Sequence, residues 1–268
     1  MTEFNADKVL GSFGGEGPPI ALVHGFGADR FSWLGTAPDL VKHATVYTIE
    51  LPGHGNAWDL SAPSGLDNLC KQTAIPAIES IASQTGSAVH LVGHSLGGAL
   101  AILAAQHLAT QSPAEIASLT LLAPLGLGAG GNKEFIHQLI ELDDADTALN
   151  VLQRTVHNRQ LISSQLIQPM LQHLRRNEVR ATLRTMAEDV LNPGSALTSA
   201  VQHLAECELP KQVAWGHDDN IIPPVAEDAE RVGGDWHFIE ACGHLPHVEH
   251  RTKVNRLLID MVQRVSVV

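Results

Sequence analysis

Residues 90–102 read HLVGHSLGGALAI: an apolar run is broken by Gly93-His94-Ser95-Leu96-Gly97-Gly98 and then resumes. A serine hydroxyl held between glycines, where a strand-like segment turns into a helix-like one, can attack a carbonyl carbon once a base takes its proton. Such a turn must be tight. It strains the backbone at Ser95 and leaves no room for side chains two positions to either side, a need that Gly93 and Gly97 meet. Gly98 is expected to let the helix approach a neighbouring strand. The hydroxyl then sits at a helix N-terminus, where developing negative charge is favoured. The bland reading of the same residues is an N-cap serine in a glycine-rich turn, and the motif alone does not remove it.

The chemistry needs a base, and an acid to orient it, in the chain order serine, acid, histidine. The last third of the chain supplies both at strand ends. Val213-Ala214-Trp215-Gly216-His217-Asp218-Asp219 places two acids just after a strand, and Trp236-His237-Phe238-Ile239-Glu240-Ala241-Cys242-Gly243-His244 places a histidine after the next. Early in the chain, Val23-His24-Gly25-Phe26-Gly27 follows another strand. That loop is positioned to aim the Phe26 N–H, together with the Leu96 N–H, at a carbonyl oxygen.

These residues need a scaffold that brings distant loops to one edge. Strands are expected at 8–13, 20–23, 45–50, 88–92, 118–123, 212–215 and 236–240, several as continuous apolar runs of the kind a sheet covered on both faces requires. Helical patterns fall between them, at 30–42, 66–84, 96–110, 224–232 and 251–265. That alternation predicts an α/β fold with a mostly parallel sheet. The rhythm breaks between 126 and 194, where helices are expected at 133–142, 145–155, 163–175 and 178–190, with Pro169 kinking or ending one of them. The expected organisation is therefore a core of 1–125 and 195–268 and a helical cap, or lid, of 126–194, opened by Gly126, Gly128, Gly130 and Gly131. Ligands of open α/β sheets bind at the C-terminal ends of the strands, which is where such a lid would lie.

Composition narrows the partners. The 268 residues carry a net charge of −12 with 44% hydrophobic residues. That balance argues against nucleic acid and against an anionic membrane surface as partners. The N-terminus, MTEFNADKVLG, lacks the apolar region of a secretory signal. The apolar stretch 96–109 is too short to span a bilayer. Three widely spaced cysteines, Cys70, Cys207 and Cys242, argue against a disulfide framework and for a reducing compartment, so a cytoplasmic location is expected.

Over essentially its whole length the chain resembles the α/β-hydrolases. The segments that carry the resemblance are His24-Gly25-Phe26-Gly27, Leu51-Pro52-Gly53-His54-Gly55, Gly93-His94-Ser95-Leu96-Gly97-Gly98, Trp215-Gly216-His217-Asp218-Asp219 and Gly243-His244. The resemblance implies an α/β-hydrolase fold. It selects Asp219 over Asp218 as the acid, and His244 over His247 and His250 as the base. Glu50 stands where relatives often carry Asp, and Asn56-Ala57 replaces a small hydroxyl pattern; neither touches Ser95, Asp219 or His244. A closer resemblance, at 122–128 and Asp189-Val190-Leu191, is to the hydrolase-like domain of acetoin dehydrogenase acetyltransferase components, without their lipoyl domain.

The expected activity is hydrolysis of a small to medium acyl ester or thioester, with Phe26 and Leu96 as oxyanion donors and Phe135, Leu139, Met170 and Leu125 as substrate contacts. The alternatives are a non-catalytic or slow ligand-binding member of the fold, a carbon–carbon bond hydrolase, and an acyltransferase. No cofactor and no metal is expected, and a homodimer is admitted as the assembly. Weighed beside these, the GxGxxG at 126–131 reads as hinge glycines, Asp29 as a helix cap, and His247 and His250 as parts of a solvated loop and helix start. Arg175, Arg176, Arg180 and Arg184 read as a solvated face. Phe135, Ile136, Leu139, Leu166, Met170 and Leu171 read as the apolar underside of the lid.

Overall fold

The computed structural model describes residues 4–111 and 115–266; residues 1–3 of the N-terminal stretch read above lie outside it. Among the described residues seven strands form one sheet: β1 (Leu10–Gly14), β2 (Pro19–Val23), β3 (Thr45–Ile49), β4 (Val89–His94), β5 (Ile116–Leu122), β6 (Lys211–Gly216) and β7 (Asp235–Ile239). Their order is β1-β3-β2-β4-β5-β6-β7. Only the β1–β3 pair is antiparallel; every other pair is parallel. The expected mostly parallel α/β sheet is thus present. β2 and β4 are buried along their whole length, as strands covered on both faces must be.

The period-2 side-chain alternation divides the core. Ala21, Val23 and Leu91 join the larger cluster, with α1 (Ile75–Thr85), α2 (Leu96–Gln111) and α7 (Gly194–Glu206). Ile20, Leu22 and Val92 face the other way, into a smaller cluster with Trp33, Leu40 and Leu258 of α8 (Arg251–Ser266). Between β5 and β6 lie α3 (Lys133–Ile140), α4 (Ala145–Leu152), α5 (Ser164–Leu174) and α6 (Asn177–Leu191). Their apolar residues are continuous with the larger cluster.

Several helices depart from expectation for local reasons. The segment 30–42 breaks into a 3-10 turn (Arg30–Trp33) and a short helix (Ala37–Leu40), because Gly35 interrupts it and Pro38 starts a new first turn. Asp29 caps the first turn, accepting from Phe31 N at 2.8 Å. Within 66–85 a π-helical turn occupies Cys70–Ala74 just before Pro76; proline lacks the N–H of an i→i−4 bond and crowds the carbonyl four residues back, so a wider turn fits. The helix expected at 224–232 runs only over Glu227–Val232. Pro169 does not end α5, which continues through it. Helix α7 begins at Gly194, where only a closing turn was expected. Its buried Leu197, Ala200, Val201 and Leu204 recur at the period of a buried helix stripe.

The basic face of the insertion is not simply solvated. Arg180 of α6 donates to the carbonyls of Ile140 (2.6 Å), Leu142 (3.0 Å) and Leu174 (3.2 Å), which lie at or just beyond the C-terminal ends of α3 and α5. Those carbonyls have no intrahelical partner, and a guanidinium there also meets the negative end of each helix dipole. Arg176 lies over the Trp58 ring at 4.6 Å, and Arg184 pairs with Glu141. Leu166, expected beneath the lid, is 55% exposed. Replacing Arg180 by Met, which keeps the aliphatic stem, should destabilise the protein by about 2–3 kcal/mol. Hydrogen exchange should speed up in α3, α5 and α6 before it does in the sheet.

Candidate active site

All the chemistry-bearing loops leave the C-terminal ends of the parallel strands: His24-Gly25-Phe26-Gly27 after β2, Ser95 after β4, Asp219 after β6 and His244 after β7. Ser95 has φ 52°, a conformation that costs an ordinary residue of order 1 kcal/mol. Surrounding hydrogen bonds hold it: Ser95 N donates to Leu122 O (3.0 Å), and Ser95 O accepts from Gly98 N (2.9 Å) and Leu125 N (3.0 Å). The flanking glycines are steric necessities. A Cβ on Gly93 would stand 2.4 Å from Gly97 O, and one on Gly97 would stand 2.3 Å from Val23 O. Gly98 abuts Pro124, just beyond the neighbouring strand, at 2.6 Å from a would-be Cβ. His94 and Leu96 are buried, while Ser95 is only half-buried.

Asp219 is buried, and four donors satisfy its carboxylate. Oδ1 accepts from Ile221 N (2.8 Å) and Ile222 N (3.0 Å); Oδ2 accepts from Trp215 Nε1 (3.0 Å) and His244 Nδ1 (2.8 Å). An acceptor-only carboxylate at Nδ1 requires the proton on that nitrogen, which leaves His244 Nε2 as the basic atom. The His244 backbone is held as well: its N–H donates to Thr155 O (2.7 Å), and its carbonyl accepts from His94 Nε2 (2.8 Å). The His94 ring lies against the His244 ring, centroids 4.9 Å apart. His94 therefore joins Ser95 to His244. Its place inside the glycine-enclosed motif was visible in the sequence, but its partner, 150 positions later, was not.

The loop after β2 is laced to the loop after β3 by two histidines. His24 accepts from Leu51 N on Nε2 (3.1 Å) and donates from Nδ1 to Gly25 O (2.9 Å). His54 accepts from Gly27 N on Nε2 (3.0 Å) and donates from Nδ1 to Pro52 O (2.8 Å). Each ring acts as acceptor and donor at once, so both must be neutral. Burial enforces this. It lowers the pKa of His24 against the pull of Glu50, and brings His54 down to about 3, with His24 adding to the effect. The Gly27 N–H is thereby occupied. Among the described residues no hydrogen-bond partner takes the N–H of Phe26 or Leu96. Gly25 presses on Ser95, whose Cβ would lie 3.1 Å from a Cβ there.

Of the expected substrate contacts, Leu139 reaches this loop, its Cδ2 standing 2.7 Å from where a Gly27 Cβ would be, and Leu125 bonds the Ser95 carbonyl. Phe135 is buried and Met170 half-buried in the larger core cluster. His247 corrects its expectation. It is buried between the rings of Trp33 (4.6 Å) and His94 (4.7 Å), neither ring nitrogen has a protein partner, and burial brings its pKa to about 3. His250 donates to Ala241 O (3.0 Å). Among the described residues no cluster of His, Cys, Asp or Glu could hold a metal ion, and no helix is long and apolar enough to cross a membrane.

Residues 20–257 match the model of the alpha/beta hydrolase family. The chain is 27% identical over 246 residues to the dihydrolipoyllysine-residue acetyltransferase component of the acetoin cleaving system of Cupriavidus necator; 91% of this chain is covered but only 63% of that protein. It is 25% identical over 270 residues to bovine (Bos taurus) monoacylglycerol lipase ABHD6, covering 94% of this chain and 77% of the relative. Among solved structures, a meta-cleavage product hydrolase from Pseudomonas fluorescens IP01 superposes with TM-score 0.77 at 19% identity (95% and 93% of the two chains). A serine hydrolase from Cycloclasticus zankles superposes with TM-score 0.79 at 17% identity (98% and 97%). At that identity the structural matches speak to the fold.

The buried histidines have an acid consequence. The folded pKa of His54 and His247 lies near 3 and that of His90 near 4, against about 6.5 in an unfolded chain. Between these limits the unfolded state binds more protons, so stability is fully present above pH ~6.5 and falls as pH drops toward 4. Thermal melts across that window should show the loss. His247→Phe, which removes one such group, should flatten the slope by up to about 1.4 kcal/mol per pH unit.

Proposed function

As the chain belongs to the alpha/beta hydrolase family, we propose that it is a serine hydrolase acting on an ester or thioester of a small to medium acyl group. The observation that carries this reading is the buried 2.8 Å contact of Asp219 with His244, joined through His94 to a serine at a strained turn. In the proposed cycle His244 Nε2 takes the Ser95 proton as Oγ attacks the acyl carbon. The Phe26 and Leu96 N–H groups receive the oxyanion. Collapse expels the alcohol or thiol, which leaves with the proton from His244. Water then attacks the acyl-serine, giving its proton to His244, and the acid departs as Ser95 is regenerated. Asp219 keeps the proton on Nδ1 throughout and offsets the imidazolium charge.

Leu125, Leu139, Phe135 and Met170 supply the apolar surroundings proposed for the acyl chain. Residues 126–194 act as a cap over it, and the proposed setting is the cytoplasm. The relative from Cupriavidus necator supports a second reading on the same residues, transfer of the acyl group to a thiol in place of water; the chain spans less than two thirds of that protein.

Ser95→Ala should stay folded and lose all labelling by a fluorophosphonate, while Asp219→Asn should lower kcat by roughly 10⁴. Labelling of the alanine variant at the wild-type rate would exclude Ser95 as the nucleophile. A p-nitrophenyl acyl series, run with and without a dithiol acceptor, separates hydrolysis from transfer. Hydrolysis gives free acid at a rate indifferent to the dithiol, and transfer gives the acyl thioester.

A further inference from the structure

The Glu249 side chain ends in three backbone N–H groups drawn from two distant parts of the chain. Oε1 accepts from Gly243 N (2.6 Å), and Oε2 accepts from His157 N (2.7 Å) and Asn158 N (3.1 Å). Gly243 immediately precedes His244. Residues 157 and 158 belong to the insertion, in the link between α4 and α5. Further bonds close the same seam. His244 N donates to Thr155 O, and His157 Nδ1 lies 2.7 Å from Asp218 Oδ2, next to Asp219. The two backbones touch so closely that a Cβ on Gly243 would stand 2.7 Å from Thr155 O and 2.9 Å from Val156 Cα. The glycine before the histidine is therefore required by the close approach of the insertion.

We propose that Glu249 is a positioning residue: by clasping Gly243 and residues 157–158 in one carboxylate, it uses the insertion as the back wall that sets the place of the His244 imidazole. The proposal rests on the catalytic reading of Ser95 and His244 given above. The physical argument is one of leverage. Hydrogen bonds from backbone N–H to a carboxylate are charge-assisted and short. The two oxygens of a single carboxylate serve the histidine loop and the insertion, so neither can shift without straining the group that also holds the other. An imidazole displaced by about 1 Å loses on the order of 10²-fold in rate. On this side of the site the insertion is part of the catalytic frame, and any opening that admits substrate occurs elsewhere along its rim.

The test compares wild type, Glu249→Ala and Glu249→Gln in the intact chain, measuring the rate of fluorophosphonate labelling and backbone hydrogen exchange at Gly243, His157 and Asn158, with and without added formate. Glu249→Ala should label on the order of 10²-fold more slowly and lose protection at those three amides. Formate, which fits the vacated carboxylate position, should restore both. Glu249→Gln keeps the volume but presents an N–H₂ to N–H donors; it should be slowed as well, and formate should not rescue it. If the alanine variant does not fold, the glutamine variant and its slowed labelling decide the question. Loss of amide protection with wild-type labelling rates would overturn the positioning role while leaving the hydrolase reading intact. Wild-type protein that takes no label would sink the hydrolase reading, and the positioning role with it.

Discussion

Burying the Asp219 carboxylate is the constraint around which the site is arranged. A carboxylate removed from water is tolerated only if donors replace its hydration. Here two backbone N–H groups, an indole N–H and an imidazole N–H do so. Each donor fixes something else in turn. Ile221 and Ile222 set the loop after β6, Trp215 anchors that loop to the strand, and His244 acquires a single tautomer. Trp215 also donates to Ile222 O at 3.0 Å, so the loop closes on its own strand. Without the bond to Asp219 the imidazole of His244 would lose the contact that fixes its tautomer.

Histidine does much of the remaining work in the interior, in its neutral form. His24, His54 and His94 each sit where a side chain must bond backbone across a loop junction, and burial keeps each from gaining a proton. A neutral imidazole serves such junctions well because it offers one donor and one acceptor about 2 Å apart on a rigid ring. The chain is strongly acidic overall, at −12, yet the ground around the proposed base is built from uncharged rings. A charge that develops on His244 thus faces one carboxylate partner rather than a crowd of like charges.

Besides the bonds of residues 128–132 to residues 220–228, the insertion is joined to the core along two lines. One runs through the loop after β3: His173 donates to Gly53 O, Asp189 accepts from Gly65 N, and Arg176 covers Trp58. The other runs through residues 155–158 to the histidine loop. A helical block that contributed only apolar lining would need neither. These polar seams tie the histidine loop and the loop after β3 to the packing of the inserted helices.

Much of this was legible in the residue string. Strand positions follow from apolar runs punctuated by glycine, and the turn at Ser95 follows from the sterics of Gly93 and Gly97; both are local, and local rules suffice. The α7 stripe of Leu197, Ala200, Val201 and Leu204 was equally local, but the Pro193-Gly194 pair concealed it. What the sequence could not contain is which distant backbone a polar side chain meets. His247 looked like a residue of a solvated loop because it lies in a run with His244, Glu249 and His250, yet Trp33 and His94 bury it. Arg180 looked like one charge on an exposed stripe, yet it caps three carbonyls at the ends of two other helices. Glu249 and His157 are 92 positions apart, and no period or spacing links them. Residue types and local spacing determined the elements, the order of the chemical groups and the sterics of the turn. Only the tertiary structure decided the hydrogen-bond partners, because backbone N–H and C=O groups are the same at every position and are told apart only by where the fold brings them.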